Sequence, residues 1–374
     1  MAVLNIMADL AHFFSIARDQ AFSVLSYPFD SGQRVFWLYL LTSALAAYVV
    51  YRRIRARGDH ATEMDREAAE GGFLHFLFPR RVWRHPSAWL DLRYAIFHKI
   101  ISAGAVVAIG AGGLVLGYQL TGPELGTLGN LPEPVGIWGW VTPVLLMIVA
   151  FVASDFTGWF IHFMQHKSKL LWQFHKVHHS AEVMHPISNY REHPIDNLSY
   201  AVAIGFVNGL LLGFMVGSLG YAPAAPTILG VPLLMFLFNL VAYNLRHSHV
   251  WLRWPGMWSA VFPSPAHHHV HHSMHPDHID KNFAFVLPVW DVIFGTYEMP
   301  EDNRDVKFGV PEYDRKGLDN MLGLYVVPFK DAYGVLRGKG PRPDHAPDGS
   351  AVETDHIDAV PAAEEFGQPP LPKA

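Results

Sequence analysis

Of the 23 histidines in this 374-residue chain, 16 fall between His162 and His278. Scattered core or surface imidazole explains a lone histidine, but not one spacing met repeatedly. His162-Phe-Met-Gln-His166 places two imidazoles at i and i+4. His175-Lys-Val-His178-His179 and His268-His269-Val-His271-His272 each place three at i, i+3 and i+4. On a helix these positions share a face, so the rings can point at one metal. Eight such histidines exceed the four ligands that zinc usually takes. Two ions sharing eight to ten ligands fit better, and a pair of ions suits activation of a small molecule held between them. Imidazole serves iron, zinc, copper and nickel alike, so the spacing predicts two transition metals without naming them. Asp155 lies seven residues before His162, on the same helical face. An acid inside an apolar stretch, it is a candidate outer partner that orients a ligating ring and so a candidate catalytic residue. Glu192, Asp196, Asp280 and Asp291 are further candidates, with plain surface solvation the alternative for the last three.

Composition narrows the chemistry. The chain has no cysteine, which excludes disulfides, thiolate catalysis, Cys-based zinc sites and iron–sulfur clusters. Any metal must therefore take nitrogen or oxygen ligands. The net charge of −5 carries no basic excess suited to nucleic acid. A zinc protease is disfavoured because no HExxH occurs. A non-enzymatic haem-binding protein would want histidines on facing helices deep in a membrane. A metal carrier would want acids along a pore, and beyond Asp155 the apolar stretches hold almost none.

The elements that must position these histidines are apolar. Hydrophobic residues make up 51% and charged residues 16%, where a soluble domain is nearer a quarter charged. Five stretches, about 35–51, 95–118, 138–161, 198–219 and 224–245, approach the roughly 20 residues that a membrane-spanning helix needs. The prediction is an all-α, polytopic membrane bundle of about four to five transmembrane helices, the last two a hairpin. Arg52, Arg53, Arg55, Arg57, Arg66, Arg80, Arg81, Arg84 and Arg93 put the loop after the first helix in the cytoplasm. Residues 121–137 hold no Lys or Arg and fall outside. Alternation then brings every histidine motif to the cytoplasmic side, as a helical, histidine-rich metal cap. Residues 1–33 read as an interfacial amphipathic helix, 34–300 as the catalytic domain, 301–338 as a cytoplasmic extension, and 339–374 as a disordered tail rich in Pro, Ala, Asp and Glu.

The run from Asp155 to His162, then Trp172-Gln-Phe-His175-Lys-Val-His178-His179-Ser180, resembles the fatty acid hydroxylase superfamily of sterol desaturases, sterol methyl oxidases, fatty acid hydroxylases and alkylglycerol monooxygenases. Ser264–Ser273 resembles its third histidine box, and Trp290-Asp-Val-Ile-Phe-Gly295-Thr296-Tyr297 its closing segment. The resemblance covers about 138–297. It implies two iron ions, which zinc can replace in a purified sample, together with O₂ and a lipid substrate. It implies electrons from a separate ferredoxin or cytochrome/reductase partner. Hydroxylation is the favoured outcome, with desaturation at the same site the alternative. The family pattern carries metal ligation onto His162, His166, His175, His178, His179, His268, His271 and His272, and also onto His247 and His193. His185, His249, His267, His269, His275 and His278 have no firm counterpart and read as outer-layer or surface residues. Trp159, Phe160 and Trp172, with Phe156 and Phe163, are candidate substrate contacts. The long Ala/Gly-rich helices without cysteine suggest a bacterial inner membrane.

Overall fold

The computed structural model describes residues 18–19, 22–58, 61–301 and 306–338, all within one compact unit. Most of the expected N-terminal amphipathic helix (1–17 and 20–21) and the expected tail (339–374) lie outside the described residues. What is described is mostly helical. Helix α1 spans Trp37–Arg57 and stops at Gly58, whose φ of 71° favours a residue without a Cβ. Helix α2 is Glu63–Glu70, and α3 is Pro86–Thr121, opened by a proline at its first turn where the missing N–H costs nothing. Helix α4 is Trp138–Lys167, and α5 is Lys169–His179, after a one-residue break at Ser168 whose hydroxyl caps Leu171 N. Helix α6 is Pro194–Leu219. The short α7 (Leu233–Leu240), α8 (Pro265–His271), α9 (Val289–Phe294) and α10 (Met321–Leu336) follow.

The fifth apolar stretch is not a spanning helix. Pro226 and Pro232 supply no amide hydrogen and Gly230 takes φ 79°, so the chain turns instead through a two-stranded antiparallel hairpin, β1 (Thr227–Ile228) and β2 (Val231–Pro232). The eight residues of α7 rise only ~12 Å, well short of the ~30 Å hydrocarbon core. Helices α4 and α6 are each long and apolar enough to cross a membrane, and α3 adds an apolar stretch at Val106–Thr121. On α4, Leu145, Ile148, Val149, Val152, Phe156 and Phe160 are exposed, an apolar face that suits lipid rather than water.

Helices α3 and α6 pack along a stripe of small residues. A Cβ on Gly113 would sit 2.7 Å from the Val202 carbonyl oxygen, and one on Gly209 would overlap the Leu114 carbonyl. Backbones approach this closely in membrane bundles through glycine spaced four apart, as at Gly205, Gly209 and Gly213. The residues after 305 are no loose appendage: α10 packs on α5. Leu318 and Leu324 join Leu90, Tyr94 and Val177 in one core, and Lys176 Nζ pairs with Asp314 (3.0 Å) and Asp331 (2.8 Å). The helix that carries three of the histidines is thereby fixed from outside.

Candidate metal centre

The C-terminal end of α4, helix α5, the single turn Tyr243–His247 and helix α8 meet at one place. They bring nine buried histidines together in two adjoining groups. His162, His166, His175, His179 and His271 form the first, and His178, His247, His268 and His272 the second. In each group, one ring nitrogen per residue lies within 4.8 Å of all the others. The triplet spacing now has a geometric reason. His175 and His179 at i and i+4 face the first group, while His178 between them turns to the second. In the third motif His268 and His272 share the second group and His271 turns to the first. Each triplet therefore links the two groups.

Most of the rings are held from behind. A carbonyl oxygen only accepts, so the contacts of His162 Nδ1 with Phe283 O (2.7 Å), His271 Nδ1 with Lys281 O (2.9 Å) and His178 Nδ1 with Arg191 O (3.2 Å) put the ring proton on Nδ1. Each Nε2 is left with a lone pair. Asp196 Oδ2 does the same for His175 (2.9 Å), and its Oδ1 accepts from Gln165 Nε2 (3.0 Å). Asp280 lies 3.5 Å from His166 Nδ1 and also pairs with Lys167. Ser188 gives its hydrogen to His185 O and so accepts from His247 Nδ1 (2.9 Å). His268 differs. Arg246 Nη2 stands 3.2 Å from its Nδ1, and a guanidinium only donates, so that contact draws the ring proton to Nε2 and competes with ligation there.

Metal ions fit this arrangement. Nε2 of His166, His175, His179 and His271 is buried with no hydrogen-bond partner, which for an isolated imidazole would cost on the order of 1–3 kcal/mol each. In the second group Nε2 of His268 lies 2.8 Å from that of His247 and 3.0 Å from that of His272. Two nitrogens bound ~2.1 Å from one ion at a right angle are ~3.0 Å apart. Burial, reinforced by neighbouring histidines, holds the pKa values of His175, His179, His247 and His272 well below the ordinary value, and burial takes His271 to about 3. Neutral imidazole is the form that ligates.

The segment 147–296, which carries all nine histidines, matches the family model for fatty acid hydroxylase. It is a fatty acid hydroxylase domain. Alkylglycerol monooxygenase from Homo sapiens is 32% identical over 177 residues, 46% of this chain and 33% of that protein. Ornithine lipid hydroxylase OlsE from Rhizobium tropici is 27% identical over 185 residues, 49% of this chain and 50% of its own length. The chain spans a third to a half of the length of the curated relatives it matches. No solved structure matches it.

Within the hydroxylase domain, three expectations meet a different arrangement. His193 joins neither group. Its Nδ1 accepts from Ile195 N (3.2 Å) and caps α6, and its Nε2 reaches Tyr325 O (3.3 Å), so both ring nitrogens are in use. Asp155 contacts no imidazole through a hydrogen bond. Its carboxylate accepts from Val286 N (2.9 Å), Leu287 N (3.0 Å) and Trp290 Nε1 (2.9 Å), clamping the loop that follows Phe283 onto α4. Its effect on His162 is thus through that loop. Trp159 is buried, donates to Asp291 Oδ1 (3.0 Å) and stacks on Phe294, while Phe160 points outward and is exposed. Both lie away from the imidazoles as far as their contacts show. Trp172 alone of the three stands against histidines, with ring centroids 5.2 Å from His166 and 5.5 Å from His179. Asp196 and Asp280, both among the expected outer partners, stand behind His175 and His166, whereas the roles of Ser188 and the Phe283 carbonyl had no signal in the spacing, because each arrives from a distant segment. Asp291 is the partial exception, lying in the Trp-Asp motif. It receives Phe283 N, Ala284 N, Trp159 Nε1 and Thr296 Oγ1.

Proposed function

We propose that this protein is an integral-membrane, non-haem di-iron oxygenase that hydroxylates a lipid, using O₂ and electrons from a separate ferredoxin or cytochrome/reductase donor. The observation that carries the reading is the meeting of nine buried histidines in two adjoining groups, with four Nε2 atoms of the first group left without a hydrogen-bond partner. His162, His166, His175, His179 and His271 would hold one ion, and His178, His247, His268 and His272 the other. Two irons bound there would supply the oxidising power for an unactivated C–H bond, which side-chain acid–base chemistry lacks. The balance is one C–H bond and O₂, with two electrons and two protons, giving one C–OH and one water. The names of the relatives, a monooxygenase and a hydroxylase of lipids, support hydroxylation over desaturation.

The chain's own task is positioning. The backbone carbonyls of Phe283, Lys281 and Arg191 fix ring tautomers, Asp196 orients His175, and Ser188 orients His247. A shift of about 1 Å at such a site costs on the order of 100-fold in rate. The burial of all nine rings keeps bulk water from the centre. We place the protein in the bacterial inner membrane with the histidine end of α4 facing the cytoplasm, where the electron donor would meet it.

Purified protein should carry about two iron ions per chain. His271→Ala, in the first group, and His178→Ala, in the second, should each lower the metal content and abolish turnover. Lipids incubated with ¹⁸O₂ and a reductant should gain one labelled oxygen. A loss of two hydrogens without label would replace hydroxylation by desaturation. Undiminished metal content in both variants would remove the di-metal reading.

A further inference from the structure

The outer partners of the first histidine group, Phe283 O, Lys281 O, Asp196 and Asp280, lie within the matched segment 147–296. The second group is held, at one remove, from outside it. His178 Nδ1 donates to Arg191 O and His247 Nδ1 to Ser188 Oγ, and both acceptors sit in the connection between α5 and α6. A carbonyl or a hydroxyl orients a ring only as well as the loop that carries it is fixed. One face of α3 fixes this loop. Ser87, Asp91 and Tyr94 fall at i, i+4 and i+7, a single helical stripe. Asp91 is 1% exposed and accepts from two side chains of the loop, from Arg191 Nε through Oδ1 and from His185 Nε2 through Oδ2 (2.9 Å). The guanidinium is gripped on its other sides as well. Its Nη2 donates to Ser87 O and Ser87 Oγ (both 2.9 Å), and its Nη1 to Ser180 Oγ (3.2 Å). Tyr94 donates to Glu192 O (2.9 Å) at the end of the same loop.

Each arm of Asp91 leads to one ring. Arg191 carries the carbonyl that accepts from His178. His185 carries the carbonyl that accepts from Ser188 Oγ (2.8 Å), which in turn accepts from His247. A buried ion pair adds little net stability over an apolar pair of the same volume. Its use here is direction, because a planar guanidinium held on three sides has one orientation. We propose that Asp91 is a positioning residue for the second histidine group, and that this group's hold on an ion depends on α3, a helix outside the matched hydroxylase segment. Resting on the di-metal reading, this makes the two ions separable. The first site stands on partners inside the segment, and the second on a carboxylate from beyond it. Without the Asp91 charge, the rings of His178 and His247 are free to turn, and their Nε2 lone pairs no longer converge.

The test is cobalt(II) binding to purified full-length protein depleted of metal by chelator, read by visible absorption and elemental analysis, with no turnover needed. Wild type should take up about two ions per chain. Asp91→Asn keeps the side chain's shape and removes its charge. It should bind one ion as wild type does and the other about 10–100-fold more weakly. Added to His178→Ala, it should change nothing further, whereas added to His271→Ala it should weaken the ion that remains. Arg191→Lys retains the buried cation but not the fork, and the same selective loss is expected of it should Asp91→Asn fail to fold. Gly209→Ala, which parts α3 from α6 and leaves Asp91 in place, should hold both ions, which separates lost positioning from lost stability. Two ions held at wild-type affinity in Asp91→Asn or Arg191→Lys, equal loss of both ions, or the same loss in Gly209→Ala would overturn the inference and leave the di-metal reading standing. A wild type that binds no cobalt removes both.

Discussion

Adjacent histidines in this chain serve different groups: His178 and His179, and again His271 and His272, point to opposite halves of the centre. The outer partners make each ring's role testable. Asp196→Asn keeps the shape of the side chain but removes the charge that steadies His175 Nδ1–H, and a lost outer partner typically costs 10–100-fold in metal affinity. The expected result is iron lost from the variant at chelator concentrations that wild type withstands, as read by metal analysis. His193→Leu, by contrast, should leave iron content unchanged, because both ring nitrogens already serve α6 and Tyr325. The two triplets and His162/His166 are legible in the sequence because i, i+3 and i+4 are local rules. Which acid stands behind a ring is not. Asp155 has the better sequence position beside His162, yet Asp196, from the next long helix, makes the contact with His175.

At the scale of elements, the glycine stripe between α3 and α6 sets how closely two apolar helices approach. Gly209→Ala places a methyl group on the Leu114 carbonyl, and the helices must part. A loss of about 2 kcal/mol or more is expected in detergent unfolding. Gly112→Ala, on the same α3 but with nothing within 4 Å, should cost nothing or stabilise slightly through better helix propensity. Equal effects at both positions would show that the stripe is not the contact that matters. Four of the five apolar stretches are legible as long helices because length and hydropathy suffice for them. The fifth misleads because hydropathy is blind to Pro226, Gly230 and Pro232, which break one apolar run into a hairpin and a short helix. The packing of α10 on α5 is likewise invisible to periodicity, since it depends on a buried lysine, Lys176, meeting acids more than a hundred residues away.

The whole molecule adds two measurable properties. The arginine-rich segment between α1 and α3 faces the cytoplasm in the proposed orientation, so reporter fusions at Arg57 should read cytoplasm and at Gly126 the opposite side. A cytoplasmic signal at Gly126 would defeat that orientation. Stability should also depend on pH through histidines outside the two groups. Burial lowers His193 and His267 to about 4 and His249 to about 3. Below about 6.5 the unfolded chain takes up protons that the folded chain excludes, so stability present at pH 7 is lost as pH falls toward 4. Each such histidine contributes up to about 1.4 kcal/mol per pH unit. The unfolding temperature in detergent should therefore drop between pH 6.5 and 5, less steeply in His193→Leu. The carboxylates of Asp155 and Asp291, finally, bear on synthesis as well as on the finished structure. They fasten residues 283–290 to α4 across more than a hundred intervening residues, and that segment supplies the carbonyl that sets the tautomer of His162. A nascent chain has made both long helices and two of the three histidine motifs well before residue 283 exists. A metal ion offered to such a half-made chain would meet a His162 ring whose tautomer is not yet fixed, although the partners of His175 and His178 are already made.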